Sequence, residues 1–328
     1  MPVHAFVFPG QGSQFPGMGR DLAAAFSAAR EVFGEVDDAL GEKLSKLMFG
    51  GTAEELTLTH NAQPALMAVS VAVARVLEAE GGIRLADRAV LVAGHSLGEY
   101  SALAAAGSIA LADAARMLRL RGEAMQKAVP AGQGGMAALL GIELDRAREI
   151  CEAAAAVPAG EGQGGEPSSR RETIEVANDN GGGQIVISGA AGAVARAIEI
   201  AKTTGVKRAM PLPVSAPFHC SLMRPAADAM AEALDRATIV APSVPLVANV
   251  TAAKVTDPDR IRALLVEQVT GTVRWRESVQ YMCGLGIDSF NELGAGKVLS
   301  GLVRRIAPDA AARSAGTPDE IEALLRAF

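Results

Sequence analysis

Short apolar runs bounded by Gly, Asp and Pro alternate with Ala-rich amphipathic stretches along the chain, and this rhythm restricts the fold more than any other feature. It is the pattern of a parallel sheet whose strands are joined by helices. Strands are expected at Ala5 to Phe8, Ala89 to Ala93, Leu246 to Asn249 and Ser289 to Leu293. Between Pro130 and Pro211 the order changes. Met136 to Gly141 reads as strand, Leu144 to Ala155 as helix, Ile174 to Asn178 and Gln184 to Ser188 as a hairpin pair, Ala191 to Thr204 as helix, and Lys207 to Leu212 as strand. That is β-α-β-β-α-β, the ferredoxin-like order. The expected architecture is α/β: a large, discontinuous domain with a parallel sheet, residues 1–130 and 211–328, carrying an inserted ferredoxin-like small domain, 131–210. Inside the insertion, Ala159 to Thr173 is rich in Gly, Glu, Ser and Arg without apolar periodicity, so it is expected to be a mobile surface loop.

Composition narrows the function classes. One Trp, two Tyr and nine Phe stand against 35 Gly and long Ala runs, so the core must be aliphatic and its helices closely packed. The net charge of −6 is the opposite of a nucleic-acid footprint, and no nucleic-acid partner is expected. Uncharged apolar stretches such as Ala65 to Ala74 and Ser101 to Ala112 fall short of the ~20 residues that span a bilayer, so no membrane partner is expected either. Met1 to Phe8 has neither the basic region nor the cleavage site of a signal peptide, and three scattered cysteines suit a reducing cytoplasm. Cys151 shares an apolar stripe with Leu144 and Ala147, and Cys220 and Cys283 have no second ligand at metal spacing, so all three read as core and no metal is expected. A monomer is the expected state.

The strongest chemical signal is Gly94-His95-Ser96-Leu97-Gly98, between the expected strand Ala89 to Ala93 and the helical run Glu99 to Ala106. Small residues flanking a tight strand-to-helix turn let a serine oxygen project at the end of the strand, while the next N–H faces a developing oxyanion. The plain alternative is a Gly-rich turn with an incidental serine. A serine nucleophile needs a base, and the chain has four histidines. His4 and His60 have no motif around them, and the ring of His95 would point away from its neighbour's hydroxyl. His219, in Ala216-Pro217-Phe218-His219-Cys220, is the remaining candidate, although a lone His beside Phe is often a packed structural residue. No Asp or Glu is marked as a third triad member.

On the helical stretch Leu111 to Ala128, Arg121 shares the apolar stripe of Met117, Leu118 and Met125, opposite a face of Arg116, Arg119, Glu123, Gln126 and Lys127. It therefore points inward, and a buried guanidinium requires an anionic partner, either a structural carboxylate or one on a substrate. Phe8-Pro9-Gly10-Gln11-Gly12-Ser13-Gln14 follows a strand directly, and its glycines allow backbone to approach a ligand. It lacks G-x-G-x-x-G spacing and any Lys, and Gly294-Ala295-Gly296-Lys297 is followed by Val298, so neither is a nucleotide loop.

Phe8 to Gln14, Gly94 to Tyr100, Arg121-Gly122, the Ala177 to Gly189 hairpin, Pro217 to Cys220, Gln268 to Trp275 and Glu292 to Leu299 occur in one order. Together they closely resemble the malonyl-CoA:acyl carrier protein transacylases, acyltransferases of bacterial fatty acid synthesis, over nearly the whole chain. The resemblance implies an α/β-hydrolase-like large domain with a ferredoxin-like small one. It implies Ser96 as the acylated nucleophile, His219 as general base, the N–H groups of Gln11 and Leu97 as oxyanion hole, and Arg121 as the malonyl carboxylate site. It also implies that a backbone carbonyl at Gln268 orients the imidazole, which would account for the missing acid. Phe218 resembles the malonyl-selecting version of related acyltransferase domains. Two departures are the apparent length of the Ala159 to Thr173 loop and Ala295, where family members often have Pro.

The implied reaction moves malonyl from malonyl-CoA to the phosphopantetheine thiol of acyl carrier protein through malonyl-Ser96, with no permanently bound cofactor. The rivals are a serine hydrolase or thioesterase with the same elbow, and a non-catalytic carrier-binding module. Acyl carrier protein is acidic, so docking would need a local basic patch despite the net charge; Lys207, Arg208, Arg274 and Arg276 are candidates.

Overall fold

The computed structural model describes residues 3–157, 171–214 and 216–328, so most of the expected mobile loop at 159–173 lies outside the described residues. Ten strands are present among them: β1 (His4–Phe8), β2 (Ala89–Gly94), β3 (Gly134–Leu140), β4 (Ile174–Asp179), β5 (Gln184–Ala190), β6 (Arg208–Pro211), β7 (Leu246–Ala248), β8 (Ala253–Val255), β9 (Ser289–Leu293) and β10 (Ala311–Ala315). They form two sheets, one of six strands in the order β10-β9-β1-β2-β7-β8 and one of four in the order β4-β5-β3-β6.

The six-stranded sheet is parallel except for the β7–β8 edge pair. Its central strands are apolar on both faces, as a sheet covered by helices on each side requires. In β1, Phe6 and Phe8 enter one core and Ala5 and Val7 the other; in β2, Val92 enters the first and Leu91 and Ala93 the second. The chain steps from β1 to β2 to β7 in one direction and from β9 to β10 in the other, so the loops after β1, β2 and β9 open at the switch in strand order, where open α/β sheets bind ligands.

The four-stranded sheet is antiparallel and follows the ferredoxin-like order β3, helix Leu144–Ala155, β4, β5, helix Ala191–Thr203, β6. Ala137 and Leu139 of β3 and Ile185 and Ile187 of β5 pack under the two helices, while Met136, Ala138 and Val186 face a cleft between the sheets. The alternation of strand side chains thus gives this small sheet one core face and one functional face. Backbone and side-chain bonds join it to the larger layer: Asp179 N–H to Val273 O at 3.0 Å, Val273 N–H to Ala177 O at 2.8 Å, and Thr272 Oγ1 to Val176 O at 2.7 Å.

Three features differ from the sequence reading. The edge strands β8 and β10 are not anticipated, because they are short and half-exposed and lack a continuous apolar run. The Thr59–Gly81 helix is long and apolar enough to cross a membrane by length and composition, yet 83% of its most apolar window is buried inside the protein. It is longer than its uncharged stretch because helix geometry continues through the polar residues at both ends. Cys151 and Cys220 are buried, but Cys283 is only partly so, near the end of the Trp275–Gly284 helix, and is a margin rather than a core residue. In line with the inward stripe of Arg121, the Leu111–Ala128 helix packs against Thr59–Gly81 at Gly122, where a Cβ would stand 2.4 Å from the Cα of His60. This close approach carries Arg121 into the interior.

Candidate active site

At the end of β2 the backbone turns sharply enough that a Cβ on Gly94 would lie 1.8 Å from the carbonyl carbon of Gly98. Ser96 adopts φ 54°, left-handed backbone that costs a residue with a Cβ roughly 1–2 kcal/mol. The strain is held by Asn249, just beyond β7: its Oδ1 accepts the Ser96 N–H at 2.8 Å and its Nδ2 donates to Gly94 O at 2.7 Å. The helix Gly98–Ala105 begins directly after the turn.

Ser96 Oγ lies 2.7 Å from His219 Nε2. His219 is itself left-handed, at φ 57°, and 4% exposed. Its Nδ1 faces two carbonyls, Gln268 O at 2.9 Å and Gly271 O at 3.1 Å. Carbonyls only accept, so the ring proton sits on Nδ1 and the Nε2 lone pair is left for the serine hydroxyl. Burial, followed by the nearby Arg121 charge, lowers the pKa of His219 to about 3, which keeps the imidazole neutral at physiological pH. His95 stays apart from this pair, its Nε2 2.8 Å from Asn180 Oδ1 in the turn after β4.

Arg121 is 1% exposed, as its helical stripe predicts. Among the described residues no carboxylate lies within ion-pair distance of it, so the structural ion pair is not what holds it. Instead Nη1 donates to Gln63 Oε1 at 2.7 Å, and Nη2 donates to Gln268 Oε1 at 2.9 Å and to Ser96 Oγ at 3.3 Å. Its Nε has no hydrogen-bond partner among the described residues. Burial lowers the Arg121 pKa, with Tyr100 and Glu99 opposing the shift.

Gln11 follows β1 beside the elbow and lines the same cleft as Ser96, Leu97, Arg121 and His219, a space of about 460 Å³. Neither the Gln11 nor the Leu97 backbone N–H has an acceptor among the described residues. The Gln11 side chain is fixed instead: Thr59 Oγ1 donates to its Oε1 at 2.9 Å, and Gln63 Nε2 donates to Thr59 Oγ1 at 2.8 Å. One hydrogen-bond chain therefore runs from Arg121 through Gln63 and Thr59 to Gln11. Chemically, the cleft offers a hydroxyl beside a neutral base and, among the described residues, two amides free to donate and a buried cation without an anion.

The structure brings together all six residues singled out in the sequence: Gln11, Ser96, Leu97, Arg121, His219 and Gln268. Phe218 also lines the cleft. Ala295 is buried in the larger core. Arg274 and Arg276 are engaged elsewhere, with Glu277 and with Asp179, whereas Lys207 and Arg208 are exposed at the start of β6. Sequence reasoning missed Gln63, Asn180, Asn249 and Glu99. Glu99 did carry a signal, as the one acid in the apolar helix behind the elbow; the amides looked like ordinary polar punctuation.

Residues 5–300 match the family model of the acyl transferase domain. A malonyl CoA-acyl carrier protein transacylase of Escherichia coli (strain K12) is 46% identical over 325 residues, covering 99% of this chain and of that protein. The crystal structure of an acyl-carrier-protein-S-malonyltransferase from Bartonella henselae superposes with a TM-score of 0.92 at 55% identity, with 99% of each chain covered. A malonyl-transacylase in complex with a type II PKS acyl-carrier protein superposes with a TM-score of 0.91 at 40% identity, covering 99% of this chain and 100% of that one. With this coverage from end to end, the chain belongs to the acyl transferase domain family, among the malonyl CoA-acyl carrier protein transacylases.

Proposed function

We propose that the chain transfers the malonyl group of malonyl-CoA to the phosphopantetheine thiol of an acyl carrier protein. The observation that carries this reading is Arg121, a buried guanidinium without a carboxylate partner among the described residues, 3.3 Å from a hydroxyl that is paired with a neutral imidazole. A general esterase has no use for such a cation, and a non-catalytic module has no use for the serine and imidazole together. The reading places the chemistry in a large domain, residues 1–130 and 211–328, with the 131–210 domain as one wall of the cleft.

In the first half-reaction His219 Nε2 takes the Ser96 proton as Oγ attacks the thioester carbonyl, and the oxyanion accepts the N–H groups of Gln11 and Leu97. The C–S bond breaks, His219 returns the proton to the sulfur, and CoA leaves malonyl-Ser96 behind. The carrier's thiol then gives its proton to His219, attacks the same carbonyl and releases Ser96 with its proton restored. Carbonyls at Gln268 and Gly271 suffice to hold the imidazole because they fix its tautomer without adding a charge. The malonyl carboxylate is bound by Arg121 throughout. Intact-mass measurement after incubation with malonyl-CoA, with and without holo-carrier, tests the whole sequence: a malonyl adduct should form on the wild type, vanish when carrier is added, and never form on Ser96→Ala. An adduct on Ser96→Ala overturns the nucleophile, and loss of the adduct to water without carrier would mark a hydrolase.

A further inference from the structure

Glu99 is a buried carboxyl group at the centre of the site that the acyl-transfer steps do not use. It is 1% exposed, one turn beyond the nucleophile. Its Oε1 accepts the Asn249 N–H at 2.8 Å, and its Oε2 accepts from Gln268 Nε2. The same Gln268 Nε2 donates to Ser96 O at 2.9 Å, while Gln268 Oε1 accepts from Arg121 and its main-chain carbonyl accepts from His219. Burial raises the Glu99 carboxyl to about 8, and the accepted bonds and Arg121 oppose that rise. The hydrogen bonding is that of the ionised form, since both oxygens accept N–H groups and neither has an acceptor among its partners.

A primary amide has two unlike ends, and either end of Gln268 could face Arg121. Only the oxygen can accept from a guanidinium; the NH2 would set donor against donor. We propose that Glu99 is a positioning residue which, acting only as an acceptor, turns the Gln268 amide so that its oxygen meets Arg121 and aims the guanidinium at the acyl carboxylate. The other hand of Arg121 is set in the same way, because Gln63 spends its Nε2 on Thr59 and leaves its Oε1 for Nη1. Specificity for a charged acyl group therefore depends on a residue that would never touch it. The inference rests on the proposed malonyl transfer.

Glu99→Gln tests it. With an amide at 99, one end must be NH2: if its oxygen keeps the Asn249 N–H, its NH2 meets the Gln268 NH2, and relieving that donor pair turns the Gln268 oxygen towards it and away from Arg121 at the expense of the bond to Ser96 O. The malonyl-to-acetyl ratio of kcat/KM for acylation of Ser96 should fall at least tenfold. In a Gln268→Met background there is no amide to turn, so adding Glu99→Gln should move the ratio less than twofold. Should Glu99→Gln fail to fold, Glu99→Asp is the second variant; it keeps the charge, withdraws the acceptor by one methylene, and should lower the ratio in the same direction. A ratio within twofold of wild type in a folded position-99 variant overturns the proposal, and so does an equal fall with and without Gln268. Wild type run alongside separates the two readings, since failure of wild type to take up malonyl would overturn the transfer itself.

Discussion

Arg121 is held by amide oxygens that orient it without neutralising it, and two predictions follow from that single charge. Breaking a buried ion pair by removing one partner costs about 3–5 kcal/mol. At ~1.4 kcal/mol per decade, Arg121→Ala should therefore shift the malonyl-to-acetyl ratio by roughly a hundredfold or more. Both specificities and the Tm are measured on one preparation; an unchanged ratio in a folded protein removes Arg121 from the acyl site. The second prediction concerns pH. Burial and Arg121 lower the His219 pKa to about 3, so the base stays neutral far below the ordinary histidine range near 6.5, and kcat/KM for acylation should keep its plateau at pH 5.5. A bound malonyl carboxylate offsets the Arg121 charge, so the acid limb of kcat should lie above that of kcat/KM with malonyl-CoA, and the two limbs should coincide with acetyl-CoA. Coincident limbs with both substrates would mean that the guanidinium does not govern the base. The inward stripe made Arg121 visible in the sequence. Its partners were not, because a side-chain amide oxygen accepting from 147 residues away leaves no local pattern.

Strand-to-helix turns are the elements that build this site, and the elbow after β2 can be tested against an ordinary helix. A Cβ on Gly94 would meet the Gly98 backbone at 1.8 Å, with no flexible side chain to yield, so Gly94→Ala should cost more than ~3 kcal/mol, the upper range for overpacking. Gly34 lies inside the Ser27–Leu40 helix with nothing within 4 Å of its notional Cβ, and Gly34→Ala should stabilise by about 0.5–1 kcal/mol. Urea melts of both variants decide; equal effects would mean that the elbow has room to relax. At this scale the sequence was informative where hydrophobic period and glycine spacing coincide. The helices Leu144–Ala155 and Leu111–Ala128 and the strand Ser289–Leu293 end where the pattern says they should. The edge strands β8 and β10 escaped because an edge is defined by its neighbour in space, and their residues carry no apolar run of their own.

For the whole molecule, the cleft is shared by two sheets, and its residues come from distant parts of one chain. Gln268 reaches back to Ser96 across 172 residues, and His219 across 123. The alternating rhythm made both layers readable, but how the small layer is fastened to the large one, through Ala177, Asp179 and Val273, was not, since backbone bonds carry no residue signature. Contacts of such long range form late in folding. After dilution from denaturant, the far-ultraviolet circular dichroism should therefore return before the capacity to acylate Ser96; simultaneous recovery would show that the site forms with the first helices. The same separation bears on synthesis. At ~5–20 residues per second, a ribosome needs roughly 10–30 s to pass from the nucleophile to the residue that steadies it. His219 follows the nucleophile by 123 residues, so for most of that interval the emerging polypeptide carries its hydroxyl without the base that would activate it, and Arg121, made early, still lacks the Gln268 oxygen that aims it.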